Sequence, residues 1–320
     1  MNRSASGAWA ALAAALSLQA HASCGAAFCL VNTDWAAQGN FTDTGVRLDL
    51  HYESIDLDQP RTGTDRIGVG QVARHHDEVE TRNRNVVAGL DWNFAPNWGV
   101  AFTLPYVDRY HLHVHNHQGT KVPETWSFRE LGDARVQGRY VDTFVSDDAT
   151  RMRSWGVTFG AKLPTGKDDV KNGDGEEAER TLQPGTGTTD ALLGVFLNGA
   201  APQTPWSWFT RASLVLPMNS RAGYKPARQL QLDAGVRYAA TTSLGAMLQV
   251  NANFRGRDSG ANAEPDDSGQ RQVFASPGVT WNATRDAQLY AFVQLPVYQA
   301  VNGVQLTADW SALAGVSFRF

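Results

Sequence analysis

Four histidines stand at every second position in His111-Leu112-His113-Val114-His115-Asn116-His117, half of the eight in the chain. Successive side chains of a strand point to opposite faces, so this spacing puts all four rings on one side if the segment is extended. Two imidazole nitrogens brought together as His-x-His suit zinc, copper or nickel. His75, His76, Asp77, Glu78 and Glu80 could add ligands from a neighbouring loop. The competing reading is a solvated strand tip that holds no ion, because a short His-rich tract is only a compositional hint. In a hydrated ring at a channel mouth, such imidazoles would titrate near their ordinary pKa of about 6.5.

Other candidate chemistry is sparser. Gly173-Asp174-Gly175-Glu176-Glu177 and Gln183-Pro184-Gly185-Thr186-Gly187-Thr188-Thr189-Asp190 concentrate glycine and acid. They fit no twelve-residue calcium loop, and no Gly-Lys-Ser/Thr follows the glycines. A turn-rich surface loop is the expectation there. No Ser/His/Asp set for nucleophilic catalysis is recognisable, and no His-x-Ser falls on a strand, so no enzyme is expected. Cys24 and Cys29 are the two cysteines. They suit a small disulfide in an oxidising compartment, with a metal-binding pair as the weaker reading.

The elements that must position these residues are bounded by composition. The 320 residues are 42% hydrophobic, with 28 basic and 32 acidic side chains for a net charge of −4, so no nucleic-acid partner is expected. After residue 22 no stretch of 18 apolar residues occurs, which excludes a helical membrane bundle. Met1-Asn2-Arg3, the apolar run Ala8 to Leu16 and the small-x-small triplet Ala20-His21-Ala22 have the form of a secretory signal over residues 1–22. Residues 23–44, with Cys24 and Cys29, are then expected as a periplasmic N-terminal segment.

From residue 45 to 320 the chain alternates apolar and polar residues for about ten positions at a time, the period of a strand with two unlike faces. Val46, Leu48, Leu50 and Tyr52 form one such set, and Leu244 to Phe254 another. Twelve sets can be read, joined alternately by tight turns such as Ala95-Pro96-Asn97 and Thr241-Thr242-Ser243 and by long polar links. The long links are expected near 57–82, 108–127, 164–187, 217–228, 255–271 and 298–305. Even strand numbers, short periplasmic turns and long outer loops are the marks of outer-membrane barrels. The expected fold is therefore all-β: a twelve-stranded antiparallel transmembrane β-barrel, an up-and-down meander in the bacterial outer membrane with lipid around it.

Trp92, Trp98, Trp155, Trp206, Trp208 and Trp281 fall near the short-turn ends, and Trp126 and Trp310 near the long-loop ends. Two such belts are what a bilayer imposes on indole rings. The chain's last residue, Phe320, resembles the C-terminal aromatic by which outer-membrane barrels are recognised by the assembly machinery. With the apolar set on lipid, the lumen should be lined by Arg47, Asp49, His51, Glu53, Asp91, Asp133, Arg135, Arg139, Lys162, Arg211, Asp233 and Arg237. Such a lining serves a hydrated pathway or a charge-paired plug, and twelve strands do not choose between them.

Leu104-Pro105, Leu163-Pro164, Leu216-Pro217 and Leu295-Pro296 place one dipeptide at the outer ends of four strands. Proline lacks a ladder donor and so marks loosened pairing. With Lys162-Leu163-Pro164-Thr165-Gly166, this pattern resembles the outer-membrane transporter family named for the phenol meta-degradation pathway. The resemblance implies a barrel and the passage of a small solute. The other reading is a metal-binding or metal-responsive surface barrel with a closed lumen.

Overall fold

The computed structural model describes residues 28–40, 43–73, 76–117, 120–145, 152–201 and 203–320. The expected signal at 1–22, Cys24 and His75 lie outside the described residues. The strands are β1 (Gly45–Leu57), β2 (Gln59–Gly63), β3 (Asp65–Arg66), β4 (His76–Ala95), β5 (Trp98–His117), β6 (Thr120–Leu131), β7 (Arg135–Val145) and β8 (Met152–Lys162). They continue with β9 (Asp190–Ala200), β10 (Trp206–Pro217), β11 (Gln229–Ala239), β12 (Leu244–Arg255), β13 (Gln270–Asn282), β14 (Ala287–Thr307) and β15 (Ser311–Arg319). A single 3-10 turn, Pro265–Asp267, is the helical element among the described residues.

All pairing is antiparallel, each wall strand pairing with the next wall strand along the chain, and β1 pairs with both β4 and, from Arg47↔Arg319 to Ile55↔Ser311, β15, which closes the sheet. Both β6 and β7 pair with β5: β7 along Trp98 to Thr103, β6 along Tyr106 to His117. They are two halves of one wall strand, interrupted at 132–134. β2 and β3 lie beside the far end of β14, beyond the wall. The molecule is thus a closed barrel of twelve antiparallel wall strands.

The two faces differ as lipid and lumen require. On β1, Leu50 is 50% exposed and Tyr52 45%, while Arg47 is 2% and Glu53 3%. On β12, Leu248 and Val250 face out, and Gln249, Asn251 and Asn253 are buried inside. Alternation of this kind is the pattern of a lipid-embedded strand.

Above the bilayer the structure departs from the sequence reading. The links expected near 108–127 and 298–305 are largely strand, because β5 and β6 form one long hairpin and β14 runs on to Thr307. β4 likewise begins at His76, inside the link expected over 57–82. Beyond the lipid, neither face has to be apolar, so the ladder continues without the alternation that reveals it. Each Leu-Pro site coincides with a change in pairing. Pro105 sits where β5 passes from β7 to β6, and its carbonyl accepts from Gly132 N (2.9 Å). Pro164 follows β8, Pro217 ends β10, and Pro296 pairs with Phe274 beside a register shift. Trp92, Trp98, Trp155, Trp206, Trp281 and Trp310 are exposed, whereas Trp126 is buried and faces inward, so it is no part of an outer belt.

Asp174 is exposed at the tip of a hairpin closed by the Lys171↔Glu177 bridge, where Gly175 takes φ +88°. Thr242 is exposed in the turn between β11 and β12, at the opposite rim. An epitope inserted at Asp174 is expected to be reached by antibody on intact cells, and one at Thr242 only after permeabilisation. Labelling of Thr242 alone on intact cells would reverse the orientation.

Candidate functional site

The inward face is a dense polar lining. Arg139 grips Asp91 with two hydrogen bonds of 2.9 and 2.8 Å. Lys162 lies 2.7 Å from Asp133 and 3.2 Å from Asp190. The His51 ring stands between Asp49 (3.1 Å) and Glu53 (3.7 Å), and Asn85 donates to Glu53 at 3.0 Å. Asp233 accepts from Asn251 at 2.7 Å and Gln231 at 3.0 Å. Arg47 donates to Gln288 at 2.9 Å. Arg135 also faces inward but stays exposed, and among the described residues no carboxylate pairs with it. Lone buried charges are costly; Arg139, Lys162 and His51 meet the rule by ion pairing, while Arg47 and Asp233 are held by neutral side-chain amides.

Residues 28–40 run through this lumen. They were expected as part of a periplasmic segment; here they lie within the wall because the lining supplies their hydrogen bonds. Near the outer end Phe28 packs on the cluster of Val107, Phe128 and Val170. The Cys29 thiol is 3.5 Å from Ser311 Oγ. Leu30 N donates to Gln294 at 3.3 Å, and Leu30 O accepts from Gln231 at 3.0 Å. Asn32 exchanges two 3.0 Å bonds with Gln249. Asp34 pairs with Arg211 at 3.4 Å. Trp35 is the apolar anchor: it packs with Phe209, Met247, Tyr290, Phe292 and Leu313, and the Arg47 guanidinium lies 5.2 Å from its ring centre. Ala37 O accepts from Asn198, and Asn40 Oδ1 accepts from Arg237 at 2.7 Å, at the short-turn rim. A cavity of about 510 Å³ opens there, lined by Arg47, Gln288, Ser317 and Arg319 among others.

The histidine tract sits at the outer mouth. β5 is extended through His117, so His111, His113 and His115 do share a face, but that face is covered. His111 is fully buried and His113 nearly so; the side chain of His117 lies outside the described residues. Burial pushes the His111 imidazole down to about 4 and also lowers His113. These two rings are therefore neutral at neutral pH and are not the hydrated, freely titrating ring segment that the sequence suggests. Thr81 Oγ1 bonds His111 Nδ1 at 2.9 Å, and Trp126 packs edge-on to His113 at 4.8 Å.

Of the nearby residues, His76 and Glu78 join this group, whereas Asp77 pairs with Lys121 (3.3 Å) and Glu80 with Arg82 (3.4 Å). Two carboxylates missed in the sequence complete the cluster. Glu124 stands opposite His113 in the β5–β6 register, with 3.1 Å between Glu124 Oε2 and His113 Nε2. Glu179 comes from the 163–189 loop, and its Oε1 is 3.4 Å from His76 Nε2 and 3.9 Å from His113 Nδ1.

That loop is not wholly a surface loop. Its hairpin tip is exposed, but Ala178 and Leu182 fold inward onto Ile55, Leu57, Trp126 and Leu306. Asp133, in the wall-strand interruption, holds its base by accepting from Gly166 N (3.0 Å) and Thr186 N (2.9 Å) as well as from Lys162. The backbones touch there: a Cβ on Gly185 would lie 2.6 Å from the Gly166 carbonyl carbon, so only glycine permits the approach. Arg109 donates to the Leu182 carbonyl at 2.6 Å, and Trp126 Nε1 to that of Glu176 at 3.1 Å.

Comparison with known proteins agrees with this architecture. The family described as "Putative MetA-pathway of phenol degradation" matches residues 78–312. No curated protein matches the chain significantly. Among solved structures, the COG4313 outer membrane channel from Pseudomonas putida F1 superposes with a TM-score of 0.63 at 10% identity, over 88% of this chain and 97% of that one. This likeness shows the fold, that of an outer-membrane β-barrel. The KdgM porin aligns over 86% of this chain and 99% of its own at 8% identity, but its TM-score of 0.43 is too low to carry an argument.

Proposed function

The chain belongs to the family described as "Putative MetA-pathway of phenol degradation", and from the lumen that its strands enclose we propose that it is an outer-membrane channel for a small polar solute, closed in this conformation by residues 28–40. The observation that supports the reading is the polar lining from Arg47 to Asp133 together with the cavity of about 510 Å³ that opens on it at the short-turn rim. Apart from the Trp35 anchor and the Asp34–Arg211 pair, residues 28–40 are held mainly by hydrogen bonds from Gln249, Asn198, Gln231 and Arg237. Water can replace such bonds at a net cost of about 1 kcal/mol each, and none of them belongs to the wall's own ladders, so release of the segment turns on freeing Trp35 and Asp34. The rim cavity beside Arg47 and Arg319 would then join the space vacated by Asn32 and Asp34. Arg135 gives that pathway an exposed cation, which favours polar or anionic solutes over cations.

Liposome swelling tests this reading. Vesicles carrying the refolded chain should admit small sugars, amino acids or phenolic acids, and a chain lacking residues 28–40 should admit them several-fold faster. The family description makes phenolic compounds the first to try. Vesicles that stay impermeable with both forms would exclude a channel.

A further inference from the structure

We propose that His76, Glu78, His113 and Glu179 form a binding site for one divalent transition-metal ion, zinc being the best fit, which fastens the 163–189 loop across the outer mouth. The site is independent of the channel reading, since none of its residues lines the path vacated by residues 28–40. One ligand atom from each of the four residues can be chosen so that all lie within 4.8 Å of one another. Measured separations are 3.4 Å from His76 Nε2 to Glu78 Oε1, 3.4 Å from His76 Nε2 to Glu179 Oε1, and 3.9 Å from His113 Nδ1 to Glu179 Oε1. Tetrahedral ligands at zinc bond lengths of about 2.0–2.2 Å stand roughly 3.4 Å apart, so little movement is needed to close on an ion.

The chemistry of the set favours such an ion. Two imidazoles and two carboxylates suit zinc, whereas calcium and magnesium take oxygen ligands alone. All four side chains are nearly inaccessible to solvent, at 0% for Glu78, 1% for His76, 4% for His113 and 6% for Glu179. Two carboxylates held this close in a buried site repel, and a divalent cation between them relieves the repulsion. The outer groups are also in place. His113 Nε2 faces Glu124 Oε2 at 3.1 Å, and the tautomer that donates there leaves the Nδ1 lone pair for the cluster, with His111 Nε2 also 3.4 Å from that atom. A carboxylate that orients a ligating histidine in this way is the usual companion of a bound metal. Trp126 lies against His113 and excludes water from one side. The ligands come from three places in the chain, β4, β5 and the loop, so the ion would join the loop to the long outer hairpin.

The test uses the full refolded chain in detergent, stripped with chelator, given excess zinc and desalted. One zinc per chain should remain, and cobalt in its place should give the intense visible bands of a tetrahedral centre. Glu179→Gln and His113→Asn should each abolish stoichiometric retention, while Glu124→Gln weakens affinity by about 10–100-fold. His115→Asn should leave it unchanged. Heat-modifiable gel mobility checks that each variant is folded. X-ray absorption on the zinc-loaded wild-type protein should show two imidazoles with oxygen ligands, which tests the proposal even if the variants misfold. No retained zinc, a shell of three or four imidazoles, or loss of zinc in His115→Asn with retention in Glu179→Gln would each overturn it.

Discussion

Asp133→Ala is expected to cost about 3–5 kcal/mol of folding free energy, because it strands the partner of a buried ion pair. Asp133 and Lys162 are both nearly inaccessible and lie 2.7 Å apart. The carboxylate also accepts from Gly166 N and Thr186 N, so its loss removes the only acceptor found for those two amides among the described residues. Asp190 remains 3.2 Å from Lys162 and keeps the loss from being larger. Asp133→Asn retains an acceptor but not the charge, and should fall between the two. Reversible urea unfolding in lipid vesicles measures this. The exposed Asp174→Ala change is the control, expected within about 0.5 kcal/mol of wild type. Equal midpoints for Asp133→Ala and Asp174→Ala would refute the account of Asp133 as the loop's anchor.

Leu248→Arg should destabilise the inserted barrel by about 2–4 kcal/mol, the cost of a guanidinium on the lipid face near midplane. Leu248 is at the middle of β12, 47% exposed, beside Val236 and Pro277 on the neighbouring strands. Val157→Arg, also outward on β8, should behave alike. The neighbouring Gln249 is a different case. From sequence it looks like a hydrated lumen residue where arginine would be cheap. In the structure it is fully buried and holds both backbone groups of Asn32. Gln249→Arg should therefore dislodge residues 28–40 and raise permeability, with the wall intact. Identical stability and permeability for the Leu248 and Gln249 variants would show that the two faces have been confused.

How much could be read beforehand follows from where the bilayer acts. Lipid forces alternation, so Leu48, Leu50 and Tyr52 disclose β1, and the wall and its closure were legible. Beyond the lipid that force ends. β5 past Tyr106 keeps its pairing, but loop and partner strand cover the inward face, so the strand reads as a polar link. The histidines were visible by spacing, and the Thr81, Trp126 and Glu179 that bury them were not. Glu179 lay hidden because the exposed turn at Asp174 makes the whole 163–189 stretch look solvated. Residues 28–40 were the least legible. Their partners lie up to 283 positions away, and a segment held by scattered hydrogen bonds shows no period.

The path of residues 28–40 also dictates an order of assembly. They precede β1, and the seam that closes the cylinder joins β1 to β15, the first wall strand to the last. Their anchors, Asn198, Arg211, Gln231 and Gln249, belong to strands β9 to β12. The segment therefore has no partners until those strands have curled around it, and it is enclosed when the seam zips. A cysteine pair across the β1–β15 seam should thus form no sooner than a pair between Asn32 and Gln249 in a refolding time course. Formation of the seam pair first would mean that the cylinder closes empty.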